Sequence, residues 1–433
     1  MQELLLGRTY EVNYDRWKFS LENLADAVAL LKALDHISPD RNLRRQRGAA
    51  STLLAYIRPS ETLLAPLIYQ EPTLTIVEMF SGRECGDRRD HIFGMAAMFE
   101  SASPGDRYAI DYALATSEVF VDFADYCLRT RHDLAILGES CRSSIWRMPQ
   151  LVADRVHKAW TPGLPSWCPD WAGPWKEVRE LVNGITLKGK NDPSLNHRKL
   201  EWRASGAKTL TLRVASRTVI GLLGMEIGSV AKCSAAFSWE GTTVLAMEIR
   251  SMQDTVLSLA DTVPIATLWQ MYVEVLLAPQ RRDGADVFEA SELEDLGRTS
   301  SVKVKTFQDL VKHLGPIWLE TCANTLFLRA GIRLATRRSE KRDRVVRNIL
   351  HMMWNRSRHC RVLITATGAL GTGPESLQVG DKLCLLYGGI TPYVLRPQED
   401  GVHFTFVGEA YLHEMMYGEA LAVGLAEREF LLR

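Results

Sequence analysis

The chain has 433 residues, of which 46% are hydrophobic and 24% are charged. These values are typical of a folded globular protein and exclude a disordered or coiled-coil chain. Its 52 lysine and arginine residues balance 52 aspartate and glutamate residues. Because proteins that bind nucleic acid usually carry a basic excess, nucleic-acid binding is disfavoured. At roughly 150 residues per domain, the length predicts about two to four domains.

The cysteines and the apolar runs indicate in which cellular compartment the protein is expected. Eight cysteines are scattered along the chain without a C-x-x-C pair, which indicates reduced thiols inside a cell. The first residues hold Glu3 and Arg8, so they do not read as a secretory leader. No apolar run approaches the ~18 residues that a membrane-spanning helix needs. We therefore expect a cytoplasmic protein without a membrane span.

The N-terminal part is predicted to be helical as far as residue 138. Leu21–Leu34 has apolar residues at helical spacing. A second helix is expected at Asp87-Arg88-Arg89-Asp90, with Asp87 as its N-cap. Asp90, at the third helical position, would complete a capping box in which aspartate replaces the usual glutamate or glutamine. Thr116–Arg129 is predicted as a further helix with an apolar face.

A stretch rich in tryptophan and proline follows, and we define residues 139–178 as the strap. Prolines this frequent hold a chain extended and exclude a helix. Trp167 and Trp171 are four residues apart, so in an extended chain both indoles would point the same way, onto a neighbouring surface. The alternative is an aromatic cage for a cation or a base.

Residues 179–433 are predicted as a C-terminal α+β domain, which gives the whole chain an α+β fold. Thr209–Ile220 alternates apolar and polar residues, as strands do. From Cys360 the pattern again has a period of two, and short strands are separated by glycine-containing turns at 368–374, 388–389 and 399–401. The predicted strands are Arg361–Ala366, Lys382–Tyr387, Tyr393–Arg396 and His403–Leu412.

These strands predict a small antiparallel β module built from residues near 209–220 and 360–412. Residues 240–355 lie between its two parts as a mainly helical insertion, with a charged loop at Arg281–Ser301. The predicted helices of the insertion are Thr242–Leu259, Val263–Leu277, Val302–Leu328 and Arg342–Trp354.

A search for catalytic patterns finds no phosphate-binding loop, no H-E-x-x-H and no G-x-S-x-G. We therefore predict no catalytic, cofactor-binding or metal-binding residues. Glu409 and His413 are four residues apart in a predicted strand and would share a face. Two roles stay open for this pair: contact with a ligand, or ordinary hydrogen bonding at a sheet edge.

Several segments together resemble one family. Residues 87–97, DRRDHIFGMAA, are similar to D-P-R-D-K-[VI]-[FY]-A-L-L-G, with departures at Arg88 and Gly94. A D-Y pair follows at Asp111-Tyr112, and residues 164–171 match L-P-S-W-x-P-D-W in full. These patterns are those of the fungal heterokaryon-incompatibility (HET) domain proteins.

The C-terminal region extends this resemblance. Gly380-Asp381, Pro392–Arg396 and Val407–Glu419 look like the family's last blocks, although Glu414 stands where the family commonly has glycine. The motif residues for which the resemblance implies structural roles are Asp87, Arg89, Asp90, Trp167, Asp170, Trp171, Arg396, Gly408, Glu409, Tyr411 and His413.

The start of the chain departs from the family pattern. The family's W-x-x-Q-E element is represented only by Gln2-Glu3. We therefore expect residues 1–138 to be the C-terminal half of a HET domain whose N-terminal half is missing.

The resemblance implies a function in fungal non-self recognition and regulated cell death. Such a protein would act through other proteins, either an incompatibility partner or a second copy of itself, without catalysis or cofactors. Two alternatives remain: a TIR-like effector that cleaves NAD, if the missing half exists, and an inactive scaffold.

Overall fold

A computed structural model of the chain divides into two compact units, residues 1–119 and 120–433. The structure describes residues 11–14, 17–20, 85–96, 108–140, 161–173, 202–236, 251–264, 267–268, 271–272, 275, 281–282, 285–286 and 359–433.

The first unit contains a hairpin near the start of the chain. Strand β1 (Glu11–Tyr14) pairs antiparallel with strand β2 (Trp17–Ser20). Aromatic and β-branched residues are frequent in this stretch and favour strands. The expectation of a helical N-terminal part is therefore wrong for these residues, while the predicted helix Leu21–Leu34 lies outside the described residues.

Two helices follow, one short and one long. Helix α1 (Asp90–Phe93) has a single turn, and helix α2 spans Thr116–Arg131. The prediction of a helix at Thr116–Arg129 is thus confirmed. In the part of α2 that lies in the second unit, Phe120, Phe123 and Cys127 are buried at helical spacing. A short 3-10 helix follows at Ala135–Glu139.

The second unit is dominated by β-structure. Before the insertion lie β3 (Leu212–Ser216) and β4 (Val219–Cys233), and within it lies a ribbon of β5 (Arg281–Arg282) and β6 (Ala285–Asp286). The later strands are β7 (Cys360–Thr365), β8 (Leu370–Pro374), β9 (Lys382–Leu386), β10 (Tyr393–Pro397), β11 (His403–Glu409), β12 (Tyr411–Leu412) and β13 (Glu427–Leu432).

Strand β4 closes a barrel because it pairs with two strands that are linked to each other through the rest of the sheet. Its residues 220–225 pair with β13 and its residues 224–229 pair with β9. Strands β13, β11, β10 and β9 are neighbours in that order, so five strands form a closed ring. The offset between the two pairings along β4 tilts the strands, as barrel closure requires. Further along, β4 pairs with β7, which continues to β8 and β12.

Most of the predicted C-terminal strands are confirmed within one or two residues, as β7, β9, β10, and β11 with β12. Three features differ from the prediction. Gly371–Pro374, expected in a turn, belong to β8. Strand β4 extends far beyond Ile220. Strand β13 was not predicted, and because it runs parallel to β11, the sheet is mixed rather than purely antiparallel.

Only part of the insertion is described. Residues 251–257 are helical, within the predicted helix Thr242–Leu259. Strands β5 and β6 pair inside the stretch that was predicted to be a loop. The predicted helices Val302–Leu328 and Arg342–Trp354 lie outside the described residues. Across the described ranges, the helices are too short or too polar to span a membrane.

One large apolar cluster lies against the barrel strands. It includes Met225 of β4, Leu383 and Leu385 of β9, Val394 of β10 and Val407 of β11. Both faces of β9 are buried, because the side chains that alternate with Leu383 and Leu385 are buried as well. A strand with two buried faces carries no alternating pattern of polar residues.

Barrel closure depends on glycine in β4, and this gives a first prediction. A Cβ atom at Gly224 would overlap the main-chain oxygen of Leu385 in β9, whereas a Cβ at Gly228 would meet only the Thr365 side chain, at 3.6 and 3.8 Å. We expect Gly224→Ala to lower the free energy of unfolding by about 2 kcal/mol, because the two strands must separate.

The control for this prediction is Gly228→Ala, which introduces the same methyl group into the same strand at an ordinary contact distance. Urea denaturation of both variants measures the difference. Equal stability of the two variants would contradict the close crossing of β4 and β9.

Candidate functional site

Asp87 of the first motif organises a turn ahead of helix α1. Its Oδ1 accepts a hydrogen bond from the Arg89 main-chain N–H, at 2.9 Å. The N-cap of α1 is Arg89, and no side chain caps the helix. The expected capping box is therefore wrong, because Asp87 precedes the N-cap and Asp90 is used elsewhere.

Arg89 and Asp90 connect this turn to the D-Y pair of the same unit. The Arg89 guanidinium forms a salt bridge with Asp87 at 2.6 Å and donates to the main-chain oxygens of Tyr112 and Leu114. The Tyr112 hydroxyl donates to Asp90 Oδ1 at 2.6 Å. Two motif blocks that are distant in sequence are thus joined by charged and hydroxyl groups.

The pKa values of this cluster give a second prediction. Hydrogen bonds from the Arg89 side chain, and then from its main chain, lower the pKa of Asp87 from 3.8 to about 2. A carboxyl with a lowered folded-state pKa stabilises the fold above its ordinary pKa, and this stabilisation is lost as the pH falls towards 2. We expect Arg89→Gln to raise the Asp87 pKa towards its ordinary value, as read from carboxyl chemical shifts in an NMR titration.

Arg88→Gln is the matched control, because Arg88 is the adjacent arginine and is not among the groups that shift the pKa of Asp87. The Asp87 pKa should stay near 2 in this variant. The same shift in both variants would show a general charge effect and would contradict the specific pair.

In the second unit, the described part of the strap, residues 161–173, is fixed to the barrel by Ser166. Its hydroxyl accepts from the Phe406 N–H of β11 at 2.9 Å and donates to the main-chain oxygen of Arg433. Its own N–H donates to the same Arg433 oxygen, at 3.2 Å. Strands β11 and β13 pair only at His403 and Phe404. Ser166 therefore bridges these two strands just beyond their last paired residues.

The two strap tryptophans contact different elements of this unit. Trp167 is fully buried, and its indole N–H donates to the main-chain oxygen of Thr218 in the β3–β4 turn, at 3.2 Å. Trp171 packs edge-on against Phe120 and Phe123 of α2, at centroid distances of 5.4 and 5.0 Å. The strap therefore lies between the helix and the barrel rather than directing both indoles to one surface.

Asp170 holds the strap in its folded shape. Its carboxylate accepts hydrogen bonds from the Thr161 N–H at 2.5 Å, the Thr161 hydroxyl at 2.9 Å and the Ala172 N–H at 3.2 Å. Asp170 is buried, so these donors replace the water that the charge has lost.

A cleft of about 520 Å³ lies beside the strap, and we name it the strap cleft. Its size is in the range of small-molecule sites. Among the described residues that line it, Arg433 alone is ionisable, and the others offer main-chain and side-chain hydrogen-bonding groups. The lining residues are Ser140, Gly163, Leu164, Pro165, Ser166, Thr218, Gln398, Thr405, Phe406 and Arg433.

Arg396 of the C-terminal motif pairs with a buried carboxylate. Its Nε and Nη2 donate to the two oxygens of Asp381 at 2.8 and 2.9 Å, and Nη2 also donates to the Ser376 main-chain oxygen at 2.8 Å. The Asp381 side chain is 2% exposed. Because the Gln378 N–H also donates to Asp381, the pair fixes the turn before β9 onto β10.

The remaining C-terminal motif residues lie at separate places. Gly408 pairs with Val394 of β10, and Tyr411 pairs with Thr372 of β8. Glu409 is buried at the end of β11, where a Cβ on Gly138 of the 3-10 helix would lie 3.1 Å from its Oε1. His413 follows β12, its main-chain N–H donates to Leu370, and its Nε2 lies 3.9 Å from Glu414.

Several residues of the site were not singled out from the sequence. Ser166 lies inside the L-P-S-W-x-P-D-W block, so the motif could have identified it as a site residue. Thr218, Gln398 and Thr405 are polar residues of turns and strands that carry no motif. Within the described ranges, no cluster of three or more metal-binding side chains is present.

Residues 334–432 match the family model described as the Het-6 β-barrel domain. Strands β7–β13 lie inside this match, and β4, which closes the ring, lies upstream of it. Residues 334–432 are therefore similar to Het-6-type β-barrel domains, and the closed ring of strands agrees with this similarity.

The chain is also similar to a curated protein, heterokaryon incompatibility protein 6, OR allele, of Neurospora crassa. The two are 24% identical over 411 residues, which cover 83% of this chain and 53% of that protein. The chain thus spans about half the length of this relative. No solved structure matches the chain. The resemblance to fungal heterokaryon-incompatibility proteins, predicted from the motifs, is confirmed by these findings.

Proposed function

We propose that this chain acts in fungal heterokaryon incompatibility, the recognition of genetically unlike cells after fusion. It acts in the cytoplasm, by contacts with other proteins and without catalysis of its own. The match to the Het-6 β-barrel domain and the similarity to heterokaryon incompatibility protein 6 support this proposal.

One structural observation carries the proposal: the motif side chains are engaged in holding elements together. Both hydrogen-bonding directions of the Ser166 hydroxyl and both oxygens of Asp170 are used within the second unit. Arg396 is likewise bound to Asp381. Side chains whose hydrogen bonds are made within the fold build a scaffold, and in our proposal the surface of this scaffold contacts a partner.

A forced-heterokaryon assay tests this function. The gene is introduced into a filamentous fungus that lacks it, and this strain is fused with unlike tester strains. We expect poor growth and dye-permeable cells in at least one fusion, with loss of this phenotype in Trp167→Ala. The control is Val423→Ala, an exposed position in the second unit. Normal growth of every fusion would contradict the proposal and would favour an inactive scaffold.

An assay for nicotinamide release tests the absence of catalysis. We expect the purified chain to release no nicotinamide from NAD above the background of a mock purification. Sustained turnover would overturn the non-catalytic proposal and would favour the TIR-like alternative.

A further inference from the structure

The first unit exposes two large hydrophobic side chains that are two residues apart in the chain. Ile110 is 54% exposed and Tyr112 is 52% exposed, whereas Phe93, against which the tyrosine packs, is buried. Asp111 lies between them in the chain, and residues 111–114 form a turn in which the Leu114 N–H donates to the main-chain oxygen of Asp111. We name Ile110, Tyr112 and the neighbouring Asp90 the Tyr112 surface.

The tyrosine ring is held in place on several sides. Its hydroxyl donates to Asp90 at 2.6 Å, and its ring meets Phe93 edge-on at a centroid distance of 4.9 Å. The Arg89 guanidinium carbon lies 5.1 Å from the ring centroid and binds the tyrosine's main-chain oxygen. A ring that is already fixed loses little conformational entropy when a partner covers it.

The described residues that flank this ring in the chain carry more carboxylates than guanidinium groups. The described residues 85–96 and 108–119 carry four carboxylates, Asp87, Asp90, Asp111 and Glu118, against two guanidinium groups. Arg89 is neutralised by its salt bridge with Asp87. Asp90 accepts from the tyrosine hydroxyl and lies near enough to Arg89 for a coulombic attraction, although the salt bridge of Arg89 is with Asp87.

This local charge stands out because the chain as a whole is neutral, with 52 basic and 52 acidic residues. A cationic group therefore has no general attraction to the protein. A half-exposed aromatic ring beside a carboxylate offers a guanidinium or ammonium group both stacking and charge pairing.

We propose that the Tyr112 surface is the docking site for a basic segment of a partner protein. An arginine or lysine of that segment covers the exposed side of the tyrosine ring and pairs with Asp90, while its neighbours cover Ile110. This inference rests on the proposed function, because it supplies the chemistry of the partner that the function requires.

Fluorescence anisotropy of labelled peptides with the full-length chain tests this inference. The probes are an octa-arginine peptide and an octa-glutamate peptide of equal length. We expect the arginine peptide to bind, the glutamate peptide not to bind, and binding to weaken as salt increases. Tyr112→Ala and Asp90→Asn should each weaken binding at least tenfold.

Ile110→Arg keeps the test valid if Tyr112→Ala disturbs the fold, because Ile110 is exposed and its replacement repels the peptide. It should weaken binding at least tenfold with an unchanged circular dichroism spectrum. Asp261→Asn and Val423→Ala, at exposed positions of the second unit, are the controls and should leave binding unchanged.

Three outcomes would overturn the inference. One is the absence of arginine-peptide binding to the wild type. Another is equal weakening by Asp90→Asn and Asp261→Asn, which would mean general charge attraction. The third is self-association abolished by Ile110→Arg, which would make a second copy the occupant. If these variants retain incompatibility in the heterokaryon assay, the surface is wrong while the proposed function stands.

Discussion

Replacing Trp167 with alanine is expected to lower the free energy of unfolding by about 3–5 kcal/mol, the usual cost of removing a large buried aromatic side chain. The indole is fully buried and donates to Thr218 in the β3–β4 turn. Its loss leaves a cavity beneath the strap and an unpaired main-chain oxygen. Chemical denaturation followed by circular dichroism measures the change.

Trp167→Phe separates packing from the hydrogen bond. Phenylalanine keeps an aromatic ring in the site but cannot donate to Thr218, so we expect a smaller loss of about 1–2 kcal/mol. An unfolding curve of Trp167→Ala close to that of the wild type would mean that the strap does not hold the second unit together.

Replacing Arg396 with methionine is expected to cost about 3 kcal/mol, because it leaves the Asp381 carboxylate buried without its cation. Asp381 is 2% exposed and receives two hydrogen bonds from the guanidinium. The Arg396 side chain is 31% exposed, which places the expected cost at the low end for a buried pair.

A double variant identifies the origin of this loss. Adding Asp381→Asn to Arg396→Met removes the uncompensated charge, so stability should recover in part. The control is Lys382→Met, which breaks a more exposed pair with Glu226 at the start of β9 and should cost less than about 1 kcal/mol. A loss from Arg396→Met that the second change does not relieve would contradict the charge explanation.

The parts of the fold that were predicted correctly carry local signals in the sequence. Helix α2 buries residues at helical spacing, and β7, β9, β10 and β11 are short segments bounded by glycine turns. Strand β13 was missed because its Glu427 and Glu429 form ion pairs with Lys208 and Arg213, so a charged stretch is part of the barrel. Local sequence gives no signal for such pairs between residues more than 200 positions apart.

Some residues around the site were predicted from the motifs, but the residues that line the strap cleft and their arrangement were not. The motifs named Trp167, Trp171 and Arg396 in advance, and nothing in their spacing indicated that the two tryptophans contact different elements. The contact of Ser166 with Phe406 and Arg433 joins residues far apart in the chain. Such contacts follow from barrel closure, which depends on long-range pairing along β4.

The strap is bound to the barrel through Ser166 and Trp167. Amide hydrogen exchange of the full-length chain tests it most directly, at the Phe406 N–H that donates to Ser166 and at the Ser166 N–H that donates to Arg433. Both amides should exchange as slowly as those of strands β9 and β10. Exchange of either amide at the rate of an unfolded peptide, while the barrel strands stay protected, would contradict the claim.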